Sequence, residues 1–72
     1  AGTVMKKSAV WVVIQMVHGE RKARETCEKL TGEGFMIQIR SLSGEAEEQV
    51  YEVLALSSEA REARKALLEW GL

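Results

Sequence analysis

The amino-acid sequence predicts one small mixed α/β domain whose elements run strand, helix, strand, strand, helix. Three observations predict it. The run from Ala9 to Val17 is apolar and rich in β-branched residues, whose restricted side chains suit a pleated surface. Two later stretches, Phe35 to Leu42 and Gln49 to Leu56, alternate at the period of two that a half-buried strand requires. Glu20 to Leu30 and the segment from Ala60 to Trp70 carry their apolar residues at helical spacing instead.

Residues Ala1 to Val4 precede a Met5-Lys6-Lys7 start, so residues 1–8 are expected to be a disordered or expression-derived segment and 9–72 the single domain. The near-continuous apolarity of strand one means that more than one of its sides is covered. His18 and Gly19 break it. Helix one places Ala23, Cys27 and Leu30 on one face and the pairs Glu20/Arg24, Arg21/Glu25 and Glu25/Lys29 at i,i+4 on the other. Gly32 is the expected left-handed residue at its end.

Strand two then turns Phe35, Ile37 and Ile39 to a core, while Gly44 with Glu45, Glu47 and Glu48 reads as a loop. Strand three sets Tyr51, Val53 and Ala55 against Glu52, Leu54 and Leu56. Ser57 or Ser58 is the expected cap of helix two, with Glu59 in its first turn and Ala60, Ala63, Leu67 and Trp70 as its buried stripe.

This order is a ferredoxin-like split βαββα arrangement without a last strand, a three-stranded sheet in order 1-3-2 with both helices on one face. The expected core is Val12, Ile14, Leu30, Ile37, Ile39, Val53, Ala63 and Leu67. Strand one, the most apolar, is then an edge.

Composition narrows the function classes. Ten Lys and Arg against eleven Asp and Glu give a net charge of -1 with no block of like charge, so no nucleic-acid footprint is expected. One Cys excludes an intrachain disulfide and points to a reduced, cytoplasmic chain. The run ending at His18 is far short of the roughly 20 residues of a membrane span. No cofactor and no membrane partner are expected.

The strand Trp11-Val12-Val13-Ile14, the helix end Glu28-Lys29-Leu30-Thr31-Gly32-Glu33-Gly34-Phe35, and Tyr51-Glu52-Val53-Leu54 leading into Ser58-Glu59-Ala60 resemble small bacterial domains of the signal-transducing type. A looser similarity is to the sporulation-related repeat, a βαββαβ domain that binds peptidoglycan glycan strands. That family carries a further strand after its second helix. Either resemblance implies architecture and identifies no functional residue.

Few residues could carry chemistry. His18 is the chain's one histidine, the residue type suited to acid–base chemistry near neutral pH, and it stands at the carboxyl end of strand one, but a turn histidine is the simpler reading. Cys27 reads as a small hydrophobe on the apolar helix face. Gly32 and Gly34 follow a helix, the reverse of a phosphate-cradling context. Glu45, Glu47 and Glu48 lack the ligand order of a calcium loop. No catalytic residue, cofactor site or metal site is assigned.

With Val10, Val12, Ile14 and Met16 turned to the helices, Trp11, Val13, Gln15 and Val17 should line the open face, joined by Leu54 and Leu56. The expected function is therefore a non-enzymatic interaction or regulatory module, homodimeric, with Val10, Trp11, Val12, Val13, Gln15 and Leu54 at the interface. Edge pairing of strand one with its copy is the expected mechanism, since no proline, charge or bulge protecting it is visible in the sequence. An unidentified protein partner is an alternative occupant. A glycan or small ligand on the open face around Trp11 and Tyr51, and an enzyme with its site near His18, are the competing readings.

Overall fold

The structure, a computed structural model, describes residues 10–42 and 49–72. The expected N-terminal segment and the Gly44 loop with its three glutamates lie outside these residues. The elements are β1 (Trp11–His18), α1 (Glu20–Gly32), β2 (Ile37–Ser41), β3 (Val50–Leu56) and α2 (Ala60–Trp70). β3 lies between β1 and β2 and is antiparallel to both, giving the order β1-β3-β2. The two outer strands are therefore parallel to each other, and α1 makes the crossover that parallel strands require.

One hydrophobic cluster holds the domain together. Ile14, Val17, Ala23, Leu30, Val53, Ala55, Ala60, Ala63 and Leu67 form it, and Val12, Phe35, Ile37, Ile39, Tyr51, Ala66 and Trp70 pack against it. Residues of both helices meet the Tyr51–Val53–Ala55 side of the sheet, so both helices lie on that side. Every expected core residue is in this cluster or packed on it. Thr26, absent from the sequence reading, is also buried, and its hydroxyl donates to the Lys22 carbonyl at 2.9 Å, which removes the cost of an unpaired polar group. Lys29 holds its ammonium 5.0 Å from the centre of the Trp70 ring, joining the C-terminal ends of the two helices.

The structure departs from the sequence reading at three places. The register of β1 on β3 shifts between Val13 and Gln15. This bulge inserts one residue, so the alternation changes sides: Val17 is buried in the core and Met16 is exposed, the reverse of the expectation. Second, α1 runs on through Gly32, and the left-handed residue is Gly34 at φ 101°. Gly34 N–H donates to the Thr31 carbonyl and Phe35 N–H to that of Leu30, at 3.0 and 3.2 Å, a Schellman arrangement that also brings Phe35 onto the core.

Third, neither Ser57 nor Ser58 caps α2; Glu59 stands at the cap. Ser57 instead extends the β1–β3 ladder, its N–H donating to the Val10 carbonyl at 2.8 Å. The Glu59 carboxylate accepts the Met36 N–H at 2.9 Å, tying the entry of β2 to the start of α2.

Candidate functional site

The sheet side away from the helices is organised in four rows of three residues. Trp11 pairs with Leu56, Val13 with Leu54, Met16 with Glu52 and His18 with Val50 across β1 and β3. On the other flank Gln38 pairs with Leu54 and Arg40 with Glu52. Leu42 donates its N–H to the Val50 carbonyl at 2.8 Å, and Met36 lies one residue beyond the Ile37–Ala55 pair, opposite Leu56. Eight of these twelve positions are apolar, and no helix among the described residues covers them.

Leu54 sits at the centre of this face and is only 4 % exposed. It lies between Val13 and Gln38 in register, with Trp11 diagonal to it. The polar row neutralises itself: Arg40 Nε and Nη2 both reach Glu52 Oε1, at 2.8 and 2.6 Å. Like most exposed pairs this contributes little to stability, but it leaves the face without net charge in that row.

Of the residues expected at an interface, Trp11, Val13 and Leu54 share this face. Val12 does not, because its side chain packs on the core and it pairs with Ala55 on β3. Gln15, displaced by the bulge, lines a groove against α2. Val10 is exposed at the entry to β1. Tyr51 faces the helices, so the structure does not gather Trp11, Tyr51 and Gln15 around one concave surface as the glycan reading requires.

Among the described residues β1 is an edge strand, as expected. The hydrogen bonds Ser57 N–H to Val10 O and Gly19 N–H to Gln49 O fix which of its backbone groups turn toward β3. By alternation on the β3 register, Trp11, Val13, Met16 and His18 turn theirs to the free edge. The edge carries two protections that sequence reading missed. One is the bulge. The other is Arg64 on α2, whose Nη2 donates to the Val13 carbonyl at 3.3 Å. A basic residue four positions before an exposed leucine was visible in the sequence, but its position over β1 is set only by the packing of α2.

The residues considered for chemistry do not converge. His18 is exposed and belongs to the open face, beside Val50. Cys27 lines a groove on the helix side with Glu20, Ala23, Arg24, Ile39 and Tyr51, whose rim holds the Arg24–Glu20 ion pair at 2.7 Å. Among the described residues no group of three or more His, Cys, Asp or Glu is placed to hold a metal ion, and no helix is long and apolar enough to cross a membrane.

Partial burial, and secondarily the neighbouring Glu28 carboxylate, push the Cys27 thiol above its ordinary range. The neutral thiol is thus the form the fold favours. Alkylation of the native protein by iodoacetamide at neutral pH is expected to be slower than that of an unfolded control and to accelerate as pH rises through the raised thiol range. Burial-assisted stability is present below the ordinary thiol pKa and is lost above the raised one. Rapid stoichiometric labelling at neutral pH would show a reactive thiolate instead.

No family model matches the chain, and neither a curated protein nor a solved structure matches it.

Proposed function

We propose that this chain is a non-enzymatic protein-interaction module that pairs with a second copy of itself through the open face of its sheet. The observation that carries the reading is the contiguous block Trp11, Leu56, Met36, Val13 and Leu54 on a side that no described helix covers. An aromatic anchor set among aliphatic residues is the composition of an interface centre. A second copy fits because the adjoining polar row pairs Arg40 with Glu52, so two such faces bring no unpaired charge from that row together. Two sheets packed face to face about 10 Å apart bury both inner faces.

Sedimentation equilibrium supplies the test. The native chain is expected to be dimeric at micromolar concentration. Trp11→Glu is expected to raise the dissociation constant about thirtyfold or more, the equivalent of ~2 kcal/mol at a central aromatic. Leu68→Glu, on α2, is expected to leave the dimer intact, and circular dichroism checks that both variants fold. A native chain that stays monomeric at high micromolar concentration would sink the proposal, as would a dimer indifferent to Trp11→Glu.

A further inference from the structure

We propose that the groove between the free edge of β1 and the basic flank of α2 binds an extended acidic peptide, which adds to the sheet as a fourth strand. Three observations converge there. Trp11 and Val13 before the bulge, and Met16 and His18 after it, turn their backbone N–H and C=O groups to that edge, two short runs with which an added strand can pair on either side of the bulge. Beside it runs a groove of about 210 Å³, with Ile14, Leu67, Leu68 and Leu72 in its lining. Leu68, 79 % exposed, is the apolar side chain of that lining most open to an incoming strand. Alternate residues of an incoming strand would face α2, an aliphatic one over Leu68 and acidic ones over its basic neighbours.

The third observation is the charge sorting of α2, which selects the occupant. Arg61, Arg64 and Lys65 line the depression that continues this groove past Leu68. Glu62 and Glu69 line the depression on the other flank, together with Glu33 and Phe35; Lys65 borders both depressions, so Arg61 and Arg64 are the charges confined to the groove side. Among the described residues no carboxylate pairs with Arg61, Arg64 or Lys65. A peptide carboxylate would supply the missing partner.

Arg64 Nη2 now rests on the Val13 carbonyl at 3.3 Å, a neutral acceptor. Transfer to a carboxylate exchanges it for an ion pair, with both donor and acceptor charged, and frees the carbonyl for an incoming N–H. A second copy of β1 at this edge would instead bring two basic flanks together across a two-fold axis. Repulsion therefore favours the acidic peptide here, and the surface is separate from the open face.

The probes are two short amidated peptides in which serine alternates with valine or a charged residue, so that the valines and the charges share one face, the charge being glutamate in one peptide and lysine in the other; they are titrated into the full chain by calorimetry and by amide NMR. The glutamate peptide is expected to bind, to shift the amides of Trp11, Val13, Met16 and Leu68, and to weaken as salt rises. Leu68→Glu and the double variant Arg61→Glu with Arg64→Glu are each expected to weaken it about tenfold or more, and the double variant to prefer the lysine peptide. Binding of neither peptide, equal binding of both, or an unchanged preference in the double variant overturns the proposal. So does a chain dimer that Leu68→Glu abolishes and Trp11→Glu does not, because the edge would then belong to a second copy.

Discussion

Leu30→Ala is expected to destabilise the domain by about 2–5 kcal/mol, the range for truncating a buried leucine where the surroundings relax only partly. Leu30 has no exposed surface and belongs to the central cluster. Its carbonyl also accepts the Glu33 and Phe35 N–H groups that close α1, so the cavity opens where the helix end is seated. A domain of this size has a total stability on the order of 5 kcal/mol, so a large share is at risk. The melting midpoint should fall by roughly 20 °C. Urea denaturation followed by tryptophan fluorescence and circular dichroism measures the loss. A cost below about 1 kcal/mol would show that α1 is not packed on the sheet as described.

Ala55→Leu is expected to cost about 1–3 kcal/mol or more for the opposite reason. Ala55 lies on the central strand, has no exposed surface and is paired with Val12 on one side and Ile37 on the other. It faces the helices, and its small side chain permits their close approach. Added methylenes there must displace either α2 or the strand. Leu56→Phe, one residue along and on the open face, should change stability by no more than about 0.5 kcal/mol. Equal effects at the two positions would mean that the sides of β3 are wrongly assigned.

These two outcomes bear on function through the same geometry. β3 is the strand that separates the faces: Tyr51, Val53 and Ala55 hold the helices, and Glu52, Leu54 and Leu56 belong to the surface proposed to meet a second copy. A variant that loses association while keeping its melting midpoint acts on the open face. One that loses both acts through the core.

The sequence by itself determined the element order, the sides of β3, the stripe of α2 and the order β1-β3-β2. The first three rest on local periodicity, which is written in consecutive residues, and the last on the few topologies that a βαββα order allows. On α1 it placed Ala23 and Leu30 but missed Thr26, which is buried where Cys27 is only partly so. It also showed that β1 is an apolar edge. Tertiary structure alone decided the rest. The bulge near Ile14 reverses Met16 and Val17, because one inserted residue inverts every later side-chain direction while leaving the composition of the run unchanged. Gly34 rather than Gly32 ends α1, since both glycines permit the left-handed turn and only the seating of Phe35 on the core distinguishes them. Glu59 serves Met36, and Arg64 serves Val13, across sequence separations that no local pattern encodes. The groove beside β1 exists because α2 packs with its basic flank over an edge, a relation between two elements that neither carries alone.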